Sequence, residues 1–251
     1  MIALLPHGLA ALSAVVLAVA GFAGGWLVTA AAGLCVLALA VGWGDLLRLP
    51  HKPGTAVLVG VMGAAGLVIG TLASTTQDQL PQPLSVFAAV IAIAVLTAFA
   101  HELVRRDGRS NLVESLTGTV TGQVIAVLAS GWVLLAYTRP GSSALVVTAA
   151  AVVGGRLASG LPLPLPFGAM AWLGVVVGVL AALGSSFFVS DIPPVNAVVV
   201  GLTVSGVAVA IDQLFGPAPD QLRDLSMLAR AAAPVAAAGT VAFAVIRIGI
   251  G

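Results

Sequence analysis

A series of nine apolar runs restricts this chain more than any other feature. They fall at about 6–22, 25–43, 54–74, 83–101, 118–138, 142–159, 167–189, 194–214 and 231–249. The dividers are turn chemistry: Gly24-Gly25, Pro50 with Pro53, Pro81 with Pro83, Arg139-Pro140-Gly141, Pro162 through Pro166, Pro193-Pro194, and Pro217 with Pro219. A helix needs roughly 20 apolar residues to cross the hydrocarbon of a bilayer. Nine crossings use about 180 residues and leave about 70 for tails and connections. Connections that short hold no folded extramembrane domain, so residues 1–251 read as one all-α, polytopic transmembrane domain. Composition agrees: 60% of residues are hydrophobic and 8% charged, against about 25% charged in a soluble domain.

The first two runs touch. Together they are too long for one ordinary span, which predicts a tight helical hairpin at Gly24-Gly25. Ala18-Val19-Ala20 resembles a signal-peptide cleavage site, but residues 1–7 carry no Lys or Arg, so the segment reads as a span. Cleavage would leave eight spans with the same orientation.

The basic residues orient the chain. An N-terminus on the cytoplasmic side places Arg48, Lys52, Arg105, Arg106, Arg109, Arg156, Arg223 and Arg230 on that side. The opposite side, with the C-terminus, keeps only Arg139 and Arg247. The expected location is therefore a cytoplasmic membrane. The Arg, Ala, Val and Gly bias suits a GC-rich bacterial genome.

Net charge is +1, with 10 basic and 9 acidic residues, which gives no sign of nucleic-acid binding. The single cysteine, Cys35, excludes an intrachain disulfide and a cysteine-based metal site. Phosphate-binding, zinc-protease and serine-hydrolase motifs are absent, and no span carries several carboxylates. The residues suggest no cofactor and no metal.

Glycine pairs Gly21/Gly25, Gly66/Gly70, Gly118/Gly122 and Gly174/Gly178 have the spacing that lets helix backbones approach closely, chiefly within the chain or otherwise at an oligomer face. Pro234 is expected to kink the last span.

Few polar residues remain as site candidates. Segment 101–117 is the most polar, and Asn111 with Glu114 three positions later reads as a capping box. Arg105, Arg106 and Arg109 then lie where lipid phosphates or a partner would be, although ordinary positive-inside anchoring is the simpler reading. His101 and Glu102 are adjacent and diverge on a helix, so they make poor joint ligands. Segment 217–230 spaces Leu222, Leu225 and Leu228 like an amphipathic surface helix, with Asp220 as its N-cap. Arg156 and Asp212 lie near the cytoplasmic ends of two spans. Ions at such depth pair or line a polar cavity, which makes them an expected intramembrane pair.

Several segments follow the order of a known family. The opening GGWLVTAAAGLCVLALAVGWGDLLRL, the middle SLTGTVTGQVIAVLASGWVLLAYTRPGSSALVVTAAAVVGGRLASG, and the later GLTVSGVAVAIDQLF and DQLRDLSMLARAAAPV resemble the CDP-diacylglycerol synthases (phosphatidate cytidylyltransferases). Gly155-Arg156-Leu157-Ala158-Ser159-Gly160 is similar to that family's Tyr-x-x-Gly-Arg-x-Phe-Gly segment. The departures concern chemistry. Thr148-Ala149-Ala150-Ala151-Val152-Val153 lacks the acidic residue expected ahead of Gly-Arg, and Leu161-Pro162-Leu163-Pro164-Leu165-Pro166 replaces a Ser-Pro-x-Lys loop. Only Gly216-Pro217-Ala218-Pro219 stands where the family has its Lys-Asp-x-Gly and Pro-Gly-His-Gly-Gly run. Cytidylyl transfer needs Mg²⁺ on carboxylates and cations on phosphates. Arg156, Asp212, Asp220 and Asp224 are the only residues placed to be remnants of that machinery.

The resemblance thus implies a non-catalytic relative, a pseudoenzyme serving as accessory subunit, scaffold or lipid-binding partner. Expected partners are membrane lipids and a membrane protein or second copy. The alternatives are a transporter or flippase for a lipid or small amphiphile, and a divergent phosphatidate cytidylyltransferase.

Overall fold

The computed structural model describes residues 4–75, 83–105, 111–164, 166–189, 191–216 and 224–249, without the side chains of 83–86, 167 and 224. The helices are α1 (Leu5–Ala23), α2 (Gly25–Leu46), α3 (Lys52–Thr75), α4 (Pro83–Val104), α5 (Leu112–Leu128), α6 (Ser130–Tyr137), α7 (Ser142–Ser159), α8 (Phe167–Ser186), α9 (Pro194–Leu214) and α10 (Asp224–Gly249). With α5 and α6 forming one crossing, the described residues contain nine helical segments long and apolar enough to span a membrane. The chain is a multi-pass, all-α membrane protein.

Gly24 makes the hairpin between α1 and α2 in a single residue. Its φ of 131° is available to glycine and closed to most side chains. The Arg139–Pro140 peptide at the α6–α7 turn is cis.

Helix α10 is the hub, packed against α1, α2, α5, α6, α7 and α9. Its stretch Ala231 to Ala238 is buried on every side, because alanine lets several backbones approach at once. Gly42 of α2 makes the closest of these approaches: a Cβ there would collide with the Leu225 carbonyl. Helices α4 and α8 lie at the periphery, the first against α3 and α5, the second against α7 and α9.

Three sequence expectations change. The crossing expected at 118–138 begins six residues earlier and is interrupted at Ala129. The interruption is repaired from α10, where Thr240 Oγ1 donates to the Leu128 carbonyl at 2.6 Å; just beyond it, Trp132 Nε1 ties the segment back by donating to the Val235 carbonyl of α10 at 2.7 Å. Unsatisfied backbone groups are costly inside a membrane, so such a break persists where a neighbour supplies partners. Gly131 lies directly over the Gly239–Thr240 backbone, which leaves no room for a side chain.

The last crossing begins at Asp224 rather than 231, so Leu225, Leu228 and Arg230 belong to a membrane-spanning helix and not to a separate surface helix. No helix breaker separates 224 from the body of the span, and α10 continues through Pro234. Asp220 and Leu222 lie outside the described residues.

The capping box does not form. Asn111 sits at the start of α5 with left-handed backbone (φ 52°, ψ 42°) and makes no side-chain cap hydrogen bond. Asparagine tolerates this conformation better than most residues, and here that property replaces capping.

The glycine pairs all face neighbours within the chain. Gly122 lies under the Trp43 indole, Gly66 against the Val127 backbone, Gly174 and Gly178 against α7, and Gly25 under the Tyr137 ring.

Candidate functional site

Helices α7, α8 and α9 meet through small residues: Gly155 fits against Ser205 and the Gly174 carbonyl, and Gly178 against Ser205 and the Ala151 carbonyl. This close approach brings Arg156 of α7 to Asp212 of α9. Arg156 Nη1 lies 3.0 Å from Asp212 Oδ2, and Nη2 donates to Oδ1 at 3.2 Å. The Nη1 contact is poorly aligned for a hydrogen bond, so the pair is an ion contact plus one directed bond.

A second arginine shares the same carboxylate. Arg230 Nε, from α10, donates to Asp212 Oδ1 at 3.1 Å, and Arg230 Nη2 donates to the Gly216 carbonyl just past the end of α9. The fourth member is His7 of α1. Its ring packs where a Gly160 side chain would be and lies within electrostatic reach of both arginines and Asp212. All four residues are buried, Arg156 completely.

The site therefore joins helices α1, α7, α9 and α10 through two guanidinium groups around one carboxylate. Buried ions of this kind are held by mutual pairing, and removing the shared partner leaves uncompensated charge. Both Asp212 oxygens are engaged by arginine.

The other site candidates are placed as follows. Arg105 is not presented to lipid phosphates. It is buried, with Nη1 donating to Glu102 Oε2 at 2.6 Å and to Ser115 Oγ at 2.9 Å. Ser115 Oγ in turn donates to Glu102 Oε1 at 2.6 Å, which closes a triad between α4 and the start of α5. Glu102 is one turn from Arg105 on the same face, so a local ion pair wins over solvent. Arg106 and Arg109 lie outside the described residues. The His101 ring lies against His51, with ring centroids 5.1 Å apart.

Two members of the buried cluster were not legible as site residues. Arg230 read as part of a surface helix, and His7, at the start of the first apolar run, carried no signal that set it apart. Continuity of the helical pattern from 224 into the last span was the available signal for Arg230.

Cavities are also found among the described residues. An apolar groove of about 190 Å³ runs between α1, α2 and α10, lined by Leu12, Leu34 and Leu228 with Ser13 and Cys35. A larger cavity, about 780 Å³, lies at the end of the bundle opposite the buried cluster. It is formed by residues 136–142, including Tyr137 and Arg139, together with Asp191. No protein family, characterised protein or solved structure matches this chain.

Proposed function

We propose that this chain is a non-catalytic membrane protein of the cytoplasmic membrane, an accessory or scaffold subunit that binds lipid and keeps a synthase-like helical frame. The observation that carries this reading is the state of Asp212. A cytidylyltransferase needs carboxylate oxygens for Mg²⁺ and cations for substrate phosphates. Here both oxygens of the carboxylate are taken by Arg156 and Arg230, which pairs the charges, although Arg156 Nε makes no hydrogen bond. That arrangement suits a structural lock joining four helices. The groove between α1, α2 and α10 supports lipid contact, since its lining is almost wholly apolar.

The transport reading draws on the large cavity at the other end. One turn deeper than its walls, Leu134, Leu135 and Leu145 are fully packed. A path through the bundle would require them to separate.

The test is purification in mild detergent, followed by identification of bound lipids and proteins and an assay with CTP, Mg²⁺ and phosphatidic acid. The expected result is retained lipid or a membrane-protein partner, with no CTP-dependent turnover above the protein-free blank. Turnover abolished by Asp212→Asn would overturn the proposal in favour of a divergent enzyme.

A further inference from the structure

The cavity at the α6–α7 turn has walls of opposite charge. Arg139 stands on the turn and is exposed, and Asp191 lies at the rim on the segment leading into α9. Among the described residues Arg139 forms no ion pair. Ser143 Oγ donates to Asp191 Oδ2 at 2.7 Å, which fixes the carboxylate at the rim. Residues Gly141 and Ser142 line the same wall where α7 begins. The amino-terminal end of a helix carries partial positive charge and favours an anion. That end of α7 is already met by the Asp191 carboxylate through Ser143, so Arg139 forms the anionic-ligand pole and Asp191 the cationic-ligand pole.

Tyr137 contributes an aromatic wall. Its ring is seated on Gly25, where a Cβ would collide with it, so the position of the ring is set by α2. An aromatic face beside a carboxylate suits an ammonium group. The volume of about 780 Å³ falls within the roughly 300–1,000 Å³ common for small-ligand sites.

Location narrows the ligand. Trp26 is exposed at this end of the bundle, as are Phe22, Phe187 and Phe188. Exposed tryptophan at the end of a spanning helix marks the interface between hydrocarbon and water, the depth of lipid headgroups. We propose that this cavity binds a zwitterionic headgroup, with its phosphate at Arg139 and its ammonium at Asp191 and Tyr137. The inference rests on the lipid-binding part of the proposed function and is independent of the catalytic question.

Tyr137 is the chain's single tyrosine, so protein labelled with 3-fluorotyrosine gives one ¹⁹F signal placed in the cavity wall. In detergent, titration with dioleoylphosphatidylethanolamine is expected to shift that signal saturably, while dioleoylphosphatidylglycerol leaves it unmoved. Arg139→Gln and Asp191→Asn should each weaken binding at least tenfold without changing the thermal unfolding midpoint, and Arg139→Lys should restore part of it. Free phosphoethanolamine distinguishes the source: a shift at concentrations similar to the lipid assigns the site to a soluble phospho-zwitterion, and a shift with lipid alone assigns it to the membrane. Either supports the headgroup chemistry. No shift with either ligand, equal shifts with phosphatidylglycerol, or undiminished binding in both variants would overturn it. Failure here leaves the CTP assay result standing, so the two proposals fail separately.

Discussion

At one end of the bundle Asp212 is 5% exposed and held between two guanidinium groups; at the other, Asp191 stands at the rim of an open cavity with Arg139 on the same lining. Both ends bring an acid and a base from different parts of the chain into one neighbourhood. What differs is the packing around them. The buried cluster forms where α7, α8 and α9 meet through Gly155, Gly174, Gly178 and Ser205, so the side chains have no alternative to pairing. The cavity forms at a turn, where the start of α7 and the approach to α9 leave space between the charges. Burial turns an acid and a base into a structural fastening, while the gap at the turn leaves Arg139 without an ion pair among the described residues.

The largest expected effect comes from removing the shared carboxylate. Asp212→Asn leaves two buried guanidinium groups facing a neutral amide, and should cost about 3–5 kcal/mol in unfolding measured in detergent. Arg230→Met tests the second arginine. It removes one charge, leaves the Arg156–Asp212 contact and frees the Gly216 carbonyl, with an expected cost of about 1–3 kcal/mol. Asp191→Asn, at the exposed end, keeps an acceptor for Ser143 and should change stability by no more than about 0.5 kcal/mol. Comparable losses at Asp191 and Asp212 would erase the distinction between the two ends.

Much of the architecture could be read from the sequence because a bilayer imposes a length on apolar runs. The hairpin at Gly24, the turns at proline and the nine crossings follow from local composition. Arg156 and Asp212 could be matched because ions that deep need partners. Arg230 was obscured by the leucines around it, whose spacing fits a surface helix as well as the first turns of a span. The interruption at Ala129 has only the Ser130-Gly131 pair as a local signal; its backbone is satisfied and packed by Thr240 and Gly239, more than a hundred residues away. Arg105 shows the same limit in reverse. Its position among basic residues suggests a headgroup contact, yet Ser115 from the next helix closes a pocket around it. The cavity depends on where Asp191 falls relative to the α6–α7 turn, which spacing along the chain does not encode.

Coupling between Arg156 and Asp212 tests the structural role of the buried cluster most directly. Unfolding free energies are needed for Arg156→Ala, Asp212→Ala and the double substitution. The account predicts that each single substitution destabilises the protein and that the double is less damaging than the sum, with a coupling of about 0.5–3 kcal/mol. Additivity to within about 0.3–0.5 kcal/mol would contradict it, because two residues that hold each other in place cannot be lost independently.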